Sequence, residues 1–133
     1  MDIQLKRGLL DICVLSAIKS EDSYGYQIIK DIKPYVSISE STLYPILRRL
    51  ETAGFLTVRS VEHNGRLRKY YHITPCGLKR IGDFTQEWQE IMSIYQFVVK
   101  EEKKDDLMSH EEQSRFSYLR QLNALKLEQK KAI

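Results

Sequence analysis

The sequence contains few of the residues that build metal centres and disulfide frameworks. Its two cysteines, Cys13 and Cys76, lie far apart in the chain, and neither belongs to a CxxC pair. This spacing argues against a zinc site and against a disulfide scaffold. The three histidines, His63, His72 and His110, have no partner at the spacing of metal ligands. We therefore expect no metal and no cofactor, and we expect Cys13, which lies in an apolar stretch, to be a small core residue.

The motifs of the common enzyme classes are also absent. The sequence has no phosphate-binding glycine loop, no HExxH motif and no set of nucleophile, base and orienting residue. Asp83, Glu87 and Glu90 share one side of a predicted helix, but the solvated side of an amphipathic helix explains them better than acid–base catalysis does. The sequence therefore predicts a protein that is not an enzyme.

Long hydrophobic runs are missing as well. No apolar segment approaches the length of a membrane span, and the N-terminus has no signal-peptide pattern. Hydrophobic residues nevertheless make up 42% of the 133 residues, which is enough for a folded core. We expect a cytoplasmic protein with no membrane association.

The charged residues are distributed unevenly along the chain. Residues 1–80 contain 13 Lys and Arg against 8 Asp and Glu, whereas residues 81–133 contain 8 against 10. A basic front half and a mildly acidic back half suggest that only the front half meets a polyanion. Ordinary surface charge is the alternative explanation.

Hydrophobic spacing predicts two helices in the first third of the chain. The first covers residues 4–19, where apolar residues recur at helical intervals. The second runs from a cap at Ser23 to about residue 33, and Pro34 ends it.

A third helix follows after a short turn. Its apolar residues lie at i, i+3, i+4 and i+7, and they are Leu43, Ile46, Leu47 and Leu50. Ser39 or Ser41 caps the helix, and Gly54 ends it. Pro45 would be costly deep inside a helix, so it favours the later start.

Two β-rich segments come next, at residues 55–62 and 67–73, with Asn64-Gly65 between them. Asn-Gly is the strongest short signal for a β-hairpin, because both residues tolerate positive φ. Thr74-Pro75 then combines a helix cap with a proline at the first helical position, which predicts the start of a fourth helix.

The fourth helix has a heptad pattern. Six apolar residues are spaced by 3, 4, 3, 4 and 3, and they are Ile81, Phe84, Trp88, Ile91, Tyr95 and Val98. Such a helix could pack within its own chain, but its length and narrow stripe favour a second helix alongside, so we predict a homodimer interface. The charged run at 100–106 predicts a solvated end or hinge. Capping-box spacing at 109–112 predicts a tail helix to about residue 129.

Three helices followed by a hairpin are the element order of a winged helix-turn-helix. We therefore predict a mainly α fold with a small β-hairpin, a long C-terminal dimerisation helix and an extra tail helix. Residues 1–74 would form the DNA-binding domain, and residues 75–133 the helical dimerisation region with the tail.

In this fold the third helix enters the major groove of DNA, and the hairpin, or wing, lies beside it. The predicted DNA-binding residues are Ser41, Thr42, Tyr44, Arg48 and Arg49 on the helix and Arg66, Arg68 and Lys69 on the wing. Hydroxyls and arginines can bond to bases or phosphates. The basic residues of the wing, which include Arg59 as well, would contact phosphate. We expect Tyr24 and Tyr70 or Tyr71 to pack between helix and wing.

Three motifs resemble the PadR family of transcription regulators. They are YGYQI at 24–28, STLYPILRRLE at 41–51, and RKYYHIT at 68–74 followed by Gly77. The resemblance covers roughly residues 5–98. Ser41 stands where the family usually has glycine, and the segment 107–133 varies greatly in the family. The resemblance implies a homodimeric repressor on a near-palindromic DNA operator, released by a small aromatic or amphipathic effector.

Trp88 is the sole tryptophan. In multidrug-sensing relatives a tryptophan of the matching helix stacks on planar ligands, so the resemblance implies an effector site at Trp88, with Met92 and Tyr95 as lining. The alternative is that Trp88 is only a large residue of the dimer seam.

A second function class stays open at this point. Many winged helices bind other proteins and never contact DNA, and the fold by itself does not decide between the two. The four basic residues of the hairpin favour DNA, because a module for protein contacts would more often have an apolar or acidic wing.

Overall fold

The computed structural model describes the secondary structure of residues 1–115 and the side chains of residues 1–104. The elements, in chain order, are α1 (Ile3–Ala17), α2 (Gly25–Ile32), α3 (Glu40–Thr52), β1 (Leu56–His63), β2 (Arg66–Ile73) and α4 (Pro75–Arg115). Three helices followed by an antiparallel hairpin confirm the predicted winged helix-turn-helix order. Packing divides the chain into two compact units, residues 1–86 and 87–133. The functional division after residue 74 stays a prediction.

The core of the first unit lies between the three helices and the base of the hairpin. Its fully buried side chains are Val14, Leu15 and Ile18 at the end of α1, Ile28 in α2, Leu43, Leu47 and Leu50 in α3, and Leu56 in β1. Full burial of each such side chain contributes about 1.5–3 kcal/mol. The single-face pattern predicted for the third helix is confirmed. Cys13 is only half-buried, outside this core, and burial raises the pKa of its thiol.

α3 begins earlier than Pro45 suggested. Ser39 is its N-cap, and the Ser39 hydroxyl accepts a hydrogen bond from the Thr42 amide at 3.3 Å. Pro45 therefore lies inside the helix, where it has no amide to donate to the carbonyl four residues earlier. The predicted later start is wrong, because the cap at Ser39 and the buried apolar face together outweigh one missing hydrogen bond.

The segment before α2 pairs with the hairpin at one residue. Ser23, the predicted cap of α2, forms an antiparallel bridge with Tyr71, and the two residues exchange backbone hydrogen bonds of 3.2 and 2.8 Å. Tyr24 is the N-cap residue and makes no side-chain cap bond. The prediction for Ser23 is wrong because its backbone pairs with β2 while its side chain is buried.

The hairpin has the predicted turn. β1 and β2 pair in a register that sets Leu56 opposite Ile73 and His63 opposite Arg66. Asn64 and Gly65 form the turn, with φ values of 51° and 77°. Positive φ at both central residues matches the right-handed twist of the strands, so the Asn-Gly prediction is confirmed.

The start of α4 is also as predicted, and it requires a glycine. The Thr74 hydroxyl accepts a hydrogen bond from the Gly77 amide at 3.1 Å and donates one to the Gly54 carbonyl at 2.6 Å. An ideal Cβ at Gly77 would overlap the carbonyl oxygen of Phe55 and lie 2.7 Å from Cγ1 of Ile73. The helix can therefore approach the start of the hairpin this closely only without a side chain at Gly77.

Replacing Gly77 with alanine is expected to destabilise the first unit by about 1–3 kcal/mol, because the group in the way is backbone and cannot rotate aside. Gly82→Ala is the matched control in the same helix. No atom lies within 4 Å of an ideal Cβ there, so alanine should stabilise by about 0.5–1 kcal/mol through helix propensity. Urea unfolding followed by circular dichroism measures both, and equal stabilities would contradict the close approach.

The second unit is described through α4 from residue 87 onward. The helix continues without a break through the charged run to Arg115, so the predicted end or hinge at 100–106 is wrong. Charges of opposite sign one turn apart support a helix, as in the Lys104–Glu101 pair at 3.3 Å. The separate start predicted at residue 109 is wrong for the same reason. The rest of the predicted tail helix lies outside the described residues.

Candidate nucleic-acid interface

The outer side of α3 is polar and exposed. Because its apolar residues face the core, the predicted contact residues on the other side are accessible, and these are Ser41, Thr42, Tyr44 and Arg48. The Ser39 hydroxyl lies 2.8 Å from the hydroxyl of Ser41 and 3.3 Å from that of Thr42. Three hydroxyls therefore cluster at the N-terminal end of α3, the end whose side chains reach base edges when a helix enters the major groove.

The two neighbouring arginines of α3 point in different directions, as consecutive residues of a helix must. Arg48 is exposed. Arg49 is half-buried and forms an ion pair with Asp11 of α1. Because that pair engages its guanidinium, the geometry argues against the DNA contact predicted for Arg49 and leaves Arg48 as the arginine available on this side.

Tyr44 connects α3 to the start of α2. An ideal Cβ at Gly25 would lie 2.6 Å from the Tyr44 hydroxyl, so the glycine leaves the space that the phenol occupies. The side chain is still 37% exposed. Tyr44 therefore sets the spacing of α2 and α3, and its role as a DNA contact stays a prediction.

An open groove of about 840 Å³ lies between the starts of α2 and α3 and the wing. It brings Tyr44 together with the predicted wing residues Arg66, Arg68 and Lys69, whereas Ser41, Thr42 and Arg48 do not line it. Eight further residues line the groove, and among them Tyr26, Glu40, His63 and Asn64 had no place in the predicted DNA-binding set. The exposed tyrosine at the start of α2 was a usable signal. Glu40 was not recognisable until Ser39 was known to be the cap.

The basic residues of the wing fall into two groups. Arg66 and Lys69 are exposed and have no ion-pair partner in the described part of the chain. The guanidinium carbon of Arg68 instead lies 4.0 Å from the centre of the Tyr24 ring, and Arg59 forms an ion pair with Asp22. Arg66 and Lys69 are therefore the wing cations most available to a phosphate backbone.

Aromatic rings and an acidic residue join the wing to the start of α2. The rings of Tyr24 and Tyr70 meet edge to face, with centroids 5.6 Å apart, which confirms their expected packing between helix and wing. Asp22 accepts hydrogen bonds from His72 Nδ1 at 2.7 Å and from Arg59 Nη2 at 2.9 Å. The bond from His72, and after it the bond from Arg59, holds the pKa of the Asp22 carboxyl below its usual range. Asp22 is therefore ionised at neutral pH.

The second unit presents an apolar helix surface. The exposed apolar residues of α4 in this unit are Ile91, Met92, Ile94, Tyr95, Phe97 and Val98, while Trp88 is half-buried. This surface includes the predicted seam residues Ile91, Tyr95 and Val98 but is wider than a narrow stripe, because Ile94 and Phe97 belong to it too. Contiguous exposed apolar residues of this kind mark an interaction site.

The first two residues of the predicted seam belong to the first unit. Ile81 packs against the core of its own chain, and its place in the dimer interface stays a prediction. Phe84 lines a cavity of about 690 Å³ together with Leu9 and Cys13. The seam predicted for the second unit therefore consists of Trp88, Ile91, Tyr95 and Val98.

Among the residues whose side chains are described, no group of three or more His, Cys, Asp or Glu could hold a metal ion. In that same part of the chain, no helix is long and apolar enough to cross a membrane.

Comparison with known proteins gives one consistent result. The model of the transcriptional regulator PadR-like family matches residues 14–83. A solved structure of a Streptococcus mutans protein is 44% identical with a TM-score of 0.64, covering 71% of this chain and 89% of that one. A PadR family transcription regulator from Clostridium difficile is 30% identical with a TM-score of 0.62, covering 67% and 97%.

A transcriptional regulator of Mycobacterium tuberculosis is 25% identical over 89 residues, covering 66% of this chain and 83% of the relative. The family match spans more than half of the chain, and it includes α2, α3, the whole wing and the start of α4. It thus covers the elements that form the groove and the exposed side of α3. The chain belongs to the PadR-like family of transcriptional regulators.

Proposed function

We propose that this regulator is a homodimeric repressor that binds a near-palindromic operator in double-stranded DNA and is released by a small aromatic or amphipathic effector. The observation that carries the proposal is the groove in which Tyr44 of α3 and the cations Arg66 and Lys69 of the wing lie together. Acting on DNA, the protein would work in the cytoplasm.

The two parts of this surface have different tasks. The N-terminal side chains of α3 contact base edges in the major groove, where hydroxyls and arginine distinguish base pairs. Ser41, Thr42 and Arg48 are exposed candidates for this task. Arg66 and Lys69 contact phosphates, which adds affinity and salt dependence but little sequence information.

A dimer is proposed because one α3 reads only half of a site. Two recognition helices related by a two-fold axis contact half-sites about one helical turn apart, which gives a near-palindromic operator. The exposed apolar side of α4 from Ile91 to Val98 supplies the contact between subunits.

The proposed effector site lies on the same surface. Trp88, Met92 and Tyr95 are spaced i, i+4 and i+7 in α4, so they share one side of the helix. Two such sets across a two-fold axis bring large aromatic side chains together around a flat ligand.

A protein-binding winged helix without DNA contact is the alternative. Exposed cations that have no carboxylate partner in the described part of the chain, such as Arg66 and Lys69, favour a polyanion over a protein surface. Selecting bound duplexes from a random DNA pool separates the two functions. A repressor enriches a near-palindrome, whereas a protein-binding module enriches nothing.

Variants of the two surfaces should affect the binding of the selected duplex differently. Arg66→Ala and Lys69→Ala should weaken binding to all sequences, and each should reduce the slope of log K against log salt by about 0.9, one phosphate contact. Thr42→Ala and Arg48→Ala should instead relax the preference at individual base pairs, by about 1–3 kcal/mol for a bidentate contact. Gel shifts across a salt series measure both effects.

Lys33→Ala is the control for charge alone, because Lys33 is exposed and does not line the groove. It should leave the salt slope nearly unchanged. Wing variants with the wild-type slope would show that the wing does not contact phosphate.

A further inference from the structure

Three consecutive residues, Asp22 to Tyr24, contact the wing, each through a different kind of interaction. The Asp22 side chain binds two wing residues, the Ser23 backbone pairs with Tyr71, and the Tyr24 ring packs against Tyr70. The segment begins with an acidic residue, beside the surface that is proposed to bind DNA.

Asp22 bridges both strands of the hairpin. Its carboxylate accepts from Arg59 of β1, at 2.9 Å from Nη2 and 3.3 Å from Nε, and from His72 of β2 at 2.7 Å. Two donors on different strands fix a single carboxylate more tightly than one donor would, and they restrict rotation of the hairpin about its own base. We name this set of three side chains, Asp22, Arg59 and His72, the clasp.

The next two residues extend the clasp into a continuous contact. Ser23 forms a single antiparallel bridge with Tyr71 at the edge of β2, through two backbone hydrogen bonds. The Tyr24 ring has the guanidinium of Arg68 4.0 Å from its centre and the edge-to-face ring of Tyr70 beside it. The guanidinium of Arg59 also lies 5.2 Å from the centre of the Tyr70 ring, so Arg59 connects the clasp to the ring packing.

The same segment leads directly into the recognition elements. α2 begins at Gly25, immediately after Tyr24, and Gly25 is the residue against which the Tyr44 hydroxyl of α3 packs. A change in how the hairpin meets Asp22–Tyr24 therefore changes the distance between the wing tip and α3.

We propose that Asp22 is a positioning residue for DNA binding: through Arg59 and His72 it sets the angle of the wing, so that Arg66 and Lys69 meet the phosphate backbone while α3 lies in the major groove. This role rests on the proposed function, because it presupposes that the wing contacts phosphate. An exposed ion pair contributes little to stability, so the effect of Asp22 is on geometry more than on folding.

The direction in which DNA affinity changes separates this positioning role from a simple effect of charge. Asp22 is an anion on a protein that binds a polyanion, so electrostatics alone predicts that neutralising it strengthens DNA binding. Positioning predicts the opposite, because a loosened wing loses phosphate contacts. The neighbouring Glu21 is exposed and belongs to none of these contacts, so Glu21→Gln removes the same charge without touching the clasp.

The test compares Asp22→Asn, Asp22→Glu and Glu21→Gln with the wild-type protein on a selected duplex across a salt series. Asp22→Asn should bind about five- to tenfold more weakly, with a salt slope lower by about 1–2, since up to two phosphate contacts of the wing are lost. Asp22→Glu keeps the carboxylate and should bind close to wild type. Glu21→Gln should bind equally well or more tightly.

Amide hydrogen exchange provides a readout that does not depend on DNA. In Asp22→Asn the amides of Ser23 and Tyr71 should exchange faster, while the amides of the α3 core keep wild-type protection. Wild-type DNA affinity and slope in Asp22→Asn would refute the clasp role alone. A wild-type protein that binds no duplex would refute the proposed function, and the DNA role of the clasp with it.

Discussion

Replacing Ile91 with lysine is expected to convert the proposed dimer into a folded monomer. Ile91 is already exposed in the single chain, so lysine should reduce the stability of the folded subunit little. The free energy that is lost is that of the contact between subunits. Removing two copies of a buried isoleucine costs about 3–6 kcal/mol, which weakens dimerisation about 10²–10⁴-fold. Operator affinity falls with it, because a monomer contacts only one half-site.

Light scattering across a concentration series measures the change in mass, and circular dichroism reports whether the helices persist. Gln89→Lys is the matched control, because Gln89 is exposed and points away from Ile91 on the helix. It should remain dimeric. An Ile91→Lys protein that dimerises as tightly as wild type would exclude the α4 surface as the subunit contact.

Replacing Trp88 with alanine is expected to abolish effector binding while the protein stays able to bind its operator. An indole stacked on a flat ligand contributes apolar area and ring-stacking geometry that alanine cannot supply. Because Trp88 is the sole tryptophan, quenching of its fluorescence reports ligand binding in the wild-type protein. Planar cationic dyes and phenolic acids form the first panel, and calorimetry measures binding to the Trp88→Ala variant.

A true effector must also obey reciprocity. If the ligand weakens operator binding by some factor, the operator must weaken ligand binding by the same factor. The structural route would be a change in the angle between the two α4 helices, which alters the spacing of the two α3 helices. Phe97→Ala tests whether any exposed aromatic side chain on α4 is sufficient for ligand binding. Phe97 is exposed but is not among the proposed lining residues, so this variant serves as the control for Trp88→Ala. If the wild-type protein and Trp88→Ala bind the ligand equally well, Trp88 is only a packing residue and does not form the effector site.

The local elements of this protein could be predicted because their signals are local. The i, i+3, i+4, i+7 spacing from Leu43 to Leu50 gives one buried side of α3, and Asn64-Gly65 gives the turn of the wing. Both signals act within a few residues, where helix periodicity and the tolerance of positive φ operate. The start of a helix is harder to predict, as Pro45 illustrates. The hydrogen bond that is missing at the proline competes with burial of the apolar face, and only the packed helix supplies that burial.

The sequence by itself thus determined the winged-helix order, the exposed side of α3 and part of the apolar surface of α4. The tertiary structure alone decided which cations are available to DNA. Arg49 pairs with Asp11, and Arg59 with Asp22, across separations of 38 and 37 residues, which no periodicity can reveal. Whether an arginine faces solvent or a carboxylate depends on which elements pack together, and packing is set by the whole buried core rather than by neighbouring residues.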